Sequence, residues 1–207
     1  MFIELIDGLR CTSGHFQIPL VAAITKREGR HVIEGTLGCP TCRQEYPIRD
    51  GTAWFRPPTK VDATRSGPVE ADEQGAMRMG AFLAASDGIT VALVGNWARY
   101  SSELAGLVGL RAFAVNPEGA VGESERVGVV YSGTRLPFTH GSLRGVAIDG
   151  SGWSLHDMEL AARALSPSGR MVAPAASEVP GEIEEIARDE RVWIGEKRGA
   201  LVALQRR

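Results

Sequence analysis

Apolar residues in the second half of the chain come as short unbroken runs separated by amphipathic stretches. ITVALVG, which ends at Gly95, is a run of the kind buried on both faces of a sheet. Further strands are predicted at Ala112 to Val115, Val127 to Tyr131, Leu143 to Ile148 and Arg170 to Ala173. Helical spacing marks GAMRMGAFLAAS, closed by Asp87-Gly88, then Ser101 to Val108 and His156 to Leu165. Strands alternating with helices predict an α/β fold with a parallel sheet. The chain is predicted to finish with a helix near Gly181 to Arg188 and an antiparallel hairpin of RVWIGEK and ALVALQ about Arg198-Gly199.

The pattern changes before Gly75. Residues 56–74, RPPTKVDATRSGPVEADEQ, hold prolines and charges without apolar periodicity, the signature of a linker. Ahead of it, residues 1–55 read as a small β-rich unit, so the predicted organisation is 1–55, a linker at 56–74 and an α/β domain at 75–207. With 207 residues, 43% of them hydrophobic, the chain can bury an ordinary core.

Composition excludes more than it selects. No run of about 18 apolar residues occurs, and the amino terminus has acidic residues where a signal peptide is basic, so no membrane insertion and a cytoplasmic location are expected. The net charge is −2, and the first 56 residues carry seven Lys/Arg against six Asp/Glu, so charge does not indicate nucleic acid as a partner. Of 23 basic residues only Lys26, Lys60 and Lys197 are lysine, a bacterial-type bias of GC-rich genomes.

All the cysteines, Cys11, Cys39 and Cys42, lie in the first fifth of the chain, which points to a local site rather than a disulfide framework. Cys39-Pro40-Thr41-Cys42 has zinc-knuckle spacing, and Cys11 with His15 completes a tetrahedral donor set. Four protein ligands leave no position for water, so the expected zinc is structural. His31 competes with His15 as the fourth ligand. Plain thiols and a redox pair are the alternatives for the cysteines, but no strand-to-helix pattern of thioredoxin type surrounds them.

HVIEGTLGCPTCRQEYPIRDGTAWF, with Cys39 and Cys42 followed by Tyr46-Pro47-Ile48 and Asp50-Gly51, resembles the zinc ribbon of small methyltransferase-activator proteins and of the front of some bacterial methyltransferases. It departs from that pattern in having Cys11-x3-His15 where a second C-x2-C is usual. TRLPFTHGSLRGVAI and MELAARALSPSGRMVA resemble, in order, the passages around the fourth and fifth strands of class I S-adenosylmethionine-dependent methyltransferases. The resemblance implies a Rossmann-like sheet closed by an antiparallel strand, with a cofactor at the carboxyl ends of the strands.

The residues at that implied site depart from the family. Gly95 remains of the glycine turn, but Trp97 and Arg99 occupy the places of the next glycines. Leu93 takes the place of an acid in the first strand, and Asn116, followed by Pro117, takes the place of the acid that accepts both ribose hydroxyls. Tyr131-Ser132-Gly133 stands near the adenine position, and Leu143-Arg144 replaces Phe-Asp. NPEGAVGESER leaves little room for a crossover helix. Losing three uncoupled contacts at about 1.4 kcal/mol each weakens binding roughly a thousandfold. Gly95, Trp97 and Asn116 are thus read as a vestigial site, and S-adenosylmethionine is not expected as a cofactor.

No catalytic residue is assigned. His140 and His156 have no evident partner, His156-Asp157 reads as a helix start, and Ser101-Ser102-Glu103 as a helix cap. Trp153, Trp193 and Phe138 read as packing residues. The expected function is a catalytically inactive, methyltransferase-like scaffold or regulatory subunit whose partner is another protein, such as an active methyltransferase or a larger assembly. The alternative is an active S-adenosylmethionine-dependent methyltransferase with an atypical cofactor site, acting on RNA, protein or a small molecule.

Overall fold

The computed structural model describes residues 1–15, 18–59, 72–149 and 152–199. One 11-stranded sheet runs through it, in the order β1-β2-β3-β4-β7-β6-β5-β8-β9-β11-β10. A short helix α1 (Ile3–Ile6) precedes β1 (Val21–Glu28), β2 (His31–Gly38), β3 (Glu45–Arg49) and β4 (Thr52–Trp54). These four strands form an antiparallel meander. After helix α2 (Glu73–Phe82) come β5 (Thr90–Val94), a 3-10 turn (Gly95–Tyr100), helix α3 (Ser101–Val108), β6 (Arg111–Val115), β7 (Val127–Tyr131) and β8 (Leu143–Ile148). Helix α4 (Leu155–Ala164), β9 (Leu165–Pro174), β10 (Ile183–Arg188) and β11 (Val192–Lys197) complete the order.

β5 to β9 are mutually parallel, with β5 at the centre and the chain winding first toward β7 and then back toward β9. Sheet order reverses between β5 and β8, the kind of crevice where open α/β sheets bind ligands. β11 pairs antiparallel with β9, and β10 lies outside it. The architecture is therefore a parallel Rossmann-like core with antiparallel carboxyl-terminal strands and a β-rich amino-terminal region.

The period of two along β5 explains its unbroken apolar run. Ala92 and Val94 enter one core, with α4 residues such as Met158 and Ala161. Val91 and Leu93 enter the other, with Met79 and Leu83 from the α2 end and Leu104 of α3. The first core also takes in the amino-terminal region. Met1, Leu5, Leu9, Val32 and Ile48 pack in the same cluster as Phe113, Val130 and Phe138. β4 joins β7 in parallel, with Ala53 opposite Val130 and Trp54 opposite Tyr131. Gly128 of β7 is what lets the amino terminus come so close, because a Cβ there would lie 2.9 Å from Met1 Sδ.

Three expectations fail. The stretch from Gly181 to Arg188 is not a helix: Ile183–Arg188 is an edge strand paired with β11, and all of it except Ile183 is exposed. Pairing with β11 supplies backbone hydrogen bonds that outweigh a modest helix propensity. The hairpin partner of RVWIGEK is accordingly the segment before it, while ALVALQ lies outside the described residues. Ser101 caps nothing. α3 continues directly from the 3-10 turn with no side-chain cap, and the Ser101 hydroxyl is buried without a partner among the described residues. NPEGAVGESER does cross between β6 and β7 without a helix.

Candidate functional site

Two places bring chemistry-bearing residues together. The first is the loop after α1 and the turn between β2 and β3. Gly38 ends β2, the Cys39 N–H donates to Gln44 O at 2.9 Å and the Arg43 N–H to Cys39 O at 2.9 Å, closing the knuckle. Arg43 takes a left-handed φ of 60°, which turns the chain into β3. From the other side, Arg135 donates from Nη1 to Thr12 O at 3.1 Å and holds the Cys11 loop against the α/β core.

Cys11, His15, Cys39 and Cys42 converge, their ligand atoms all within 4.8 Å of one another. Cys11 Sγ is 3.6 Å from Cys42 Sγ, and His15 Nε2 is 3.3 Å from both Cys42 Sγ and Cys39 Sγ. Zinc bound tetrahedrally, with Zn–S near 2.3 Å, sets edges of roughly 3.8 Å between sulfurs and roughly 3.6 Å between sulfur and nitrogen. The cluster is close to those edges and fits the ion with no open position. Around it, Tyr46 Oη lies 3.2 Å from Cys11 Sγ and accepts from the Thr12 N–H at 3.2 Å. Such contacts orient metal ligands.

The thiols are prepared unequally. The Gln44 backbone N–H, then His15, lower Cys42 to about 6. Burial pushes Cys11 up, but hydrogen bonds from Ser13 and Tyr46 outweigh it and leave the thiol below its usual range. Burial raises Cys39, against backbone N–H groups of Cys42 and Thr41. His31 is not part of this cluster. Its Nε2 meets Glu123 Oε2 at 2.7 Å and its ring stacks on Phe2 at 4.8 Å. Glu123 sits in the glycine-rich connection, where sequence offered no sign of such a contact.

The second place is the carboxyl edge at β5 and β8. Gly95 has φ +69°, and a Cβ there would lie 3.2 Å from Asp149 O, so its missing side chain admits the backbone beyond β8. Trp97 packs, partly buried, against the core of α2 and α3 and lines an open cavity of about 740 Å³. Asn116 adopts φ +48°, and its Oδ1 accepts the Ser132 N–H at 2.9 Å. The cavity wall includes Trp97 but neither Gly95 nor Asn116. Leu93 is fully buried. At this edge Asn116 holds the residue just beyond β7 through its side-chain oxygen, and Trp97 is among the residues of the Gly95 turn that face the cavity.

His140 and His156 are not brought together. Burial, then Arg10 and Arg163, push His140 down. His156 lies in the first turn of α4, which Ser154 and Asp157 close with a capping box. Phe138 and Trp193 are fully buried packing residues.

Comparison with known proteins places the amino-terminal region. Residues 4–51 match the family described as Trm112p-like protein. The matched stretch holds Cys11, His15, Cys39 and Cys42 together with β1, β2 and β3, and the parallel Rossmann-like sheet lies outside it. Among solved structures, a chain from a Haloferax volcanii complex of the Trm112 methyltransferase activator with a methyltransferase is 21% identical, with 49% of this chain and 51% of that chain covered and a TM-score of 0.42. Geranyl diphosphate methyltransferase in complex with SAM is 16% identical over 49% of this chain and 48% of its own, TM-score 0.40. Haemonchus contortus phosphoethanolamine N-methyltransferase 2 is 17% identical over 48% and 27%, TM-score 0.42. The chain spans about half the length of the first of these structures. No curated protein matches the chain. Among the described residues, no helix is long and apolar enough to cross a membrane.

Proposed function

We propose that this chain is a methyltransferase-like scaffold or regulatory subunit that does not transfer methyl groups, its Trm112p-like ribbon held by one structural zinc on Cys11, His15, Cys39 and Cys42. The carrying observation is Asn116: at the implied ribose position stands one neutral acceptor oxygen, shared with the Ser132 N–H at 2.9 Å, in place of the two oxygens of a carboxylate. A charged acceptor there would contribute on the order of 1.5 to 3 kcal/mol to binding. Gly95, turned onto Asp149, and Trp97, standing in the glycine turn, support the same reading.

The ribbon works in cis. Its apolar side packs on β6 and β7 and its last strand extends their sheet, so a protein partner docks elsewhere on the chain. Calorimetry with S-adenosylmethionine and radiolabelled methyl transfer to cell extract test the proposal, with neither micromolar binding nor labelled product expected. Micromolar binding that a Trp97→Gly change fails to improve would overturn it. The second reading, an active methyltransferase with an atypical cofactor mode, draws on the 740 Å³ cavity beside Trp97, a volume usual for small-molecule sites. Labelled product in the same assay would favour it.

A further inference from the structure

The cavity between α2, the 3-10 turn and the β10–β11 turn is offset from the implied ribose position, since neither Asn116 nor Ser132 lines it. Three arginines reach it from separate elements: Arg78 from α2, Arg99 from the 3-10 turn and Arg191 from the turn after β10. No ion pair joins any of them to a carboxylate among the described residues. The acids of the wall are differently placed. Asp72 caps α2 by accepting from the Gly75 N–H, and Asp189 accepts from the N–H groups of Arg191 at 2.7 Å and Val192 at 2.8 Å. Asp189 feels the Arg191 charge only at longer range. Asp149 is left as the wall carboxylate without such a backbone bond among the described residues.

Arg99 is the one of the three with a shielded donor left without an acceptor among the described residues. Nη2 donates to the Tyr100 hydroxyl at 2.9 Å and the guanidinium lies 4.9 Å from the Tyr100 ring centroid, while the shielded Nε–H has no acceptor. Little in the chain competes for the remaining donors of this cation. A guanidinium matches an oxyanion in shape, giving two parallel hydrogen bonds. We infer that this cavity binds the phosphate or carboxylate group of a small molecule, held by Arg78, Arg99 and Arg191 beside the wall of Trp97. The inference goes beyond the proposed function and does not depend on methyl transfer.

The test is a titration of the nitrogen-15-labelled full chain at fixed ionic strength, following arginine Nε–H resonances. The probes are inorganic pyrophosphate, citrate and S-adenosylmethionine. The Arg99 resonance should move saturably at submillimolar pyrophosphate or citrate, the more effective probe telling phosphate from carboxylate. Arg191→Gln should weaken the Arg99 response at least tenfold, Arg99→Gln should weaken the Arg191 response as much, and Arg27→Gln, on the exposed strand β1, should leave both unchanged. If circular dichroism shows that Arg99→Gln does not fold, the exposed Arg191 decides by itself. A response left intact by substitution of either folded arginine variant overturns the inference. Saturation by none of the probes overturns it alone, whereas saturation by S-adenosylmethionine only overturns the proposed function with it.

Discussion

Four side chains from two loops 23 residues apart meet within 4.8 Å, and each has its own reason to be there. The knuckle cysteines are fixed by a local turn, so their spacing alone was enough to find them. His15 was ambiguous in sequence because both it and His31 are within reach of a ribbon; Glu123 and Phe2 resolve the ambiguity by engaging His31. Purified chain is expected to hold one zinc, and Cys42→Ser should reduce it to less than a tenth of that, as read by metal analysis. The same change made at His31 should leave the zinc content unaltered. Full zinc occupancy in Cys42→Ser would remove that residue from the ligand set.

Elements were legible wherever their pattern was local. β5, β6 and β7 fall where apolar runs predicted them, because strands buried on both faces have no polar side to show, and β8 does so despite the exposed Arg144. β10 was misread, since a solvated edge strand carries the same mixture of Glu, Ile and Arg as a surface helix. α4 shows its start plainly, with Ser154 and Asp157 exchanging backbone hydrogen bonds. Burial pushes the Asp157 carboxyl up, but hydrogen bonds from Ser154 and Thr134 prevail and hold it below the usual carboxylate range. A depressed carboxyl stabilises the fold above its unfolded pKa of about 3.9 and loses that stabilisation as pH falls through the lower folded value. Asp157→Ala is therefore expected to cost about 1 kcal/mol at neutral pH in denaturant unfolding. The difference from the parent should shrink toward pH 3; a difference constant with pH would contradict this account.

At the scale of the molecule, the ribbon and the α/β unit share a sheet and a core. The parallel pairing of β4 with β7 and the packing of Met1, Leu5 and Leu9 with Phe113 and Phe138 make unfolding of one costly to the other. Phe138 is fully buried between them, so Phe138→Ala should destabilise by about 3 to 5 kcal/mol. Calorimetry of the zinc-loaded chain should give one transition, and a chelator should move that whole transition downward. Two resolved transitions, with only the first sensitive to chelator, would show that the shared core does not couple the halves.

By itself the sequence determined the alternation of strands and helices and the knuckle, because each rests on neighbours a few positions apart. Tertiary structure decided which histidine joins the cysteines, that β10 is a strand, that the Asn116 oxygen is taken by Ser132, and that three distant arginines line one cavity. These depend on contacts between residues far apart in the chain, whose partners exist only after β4 has been laid against β7 and the sheet has brought its carboxyl edges together.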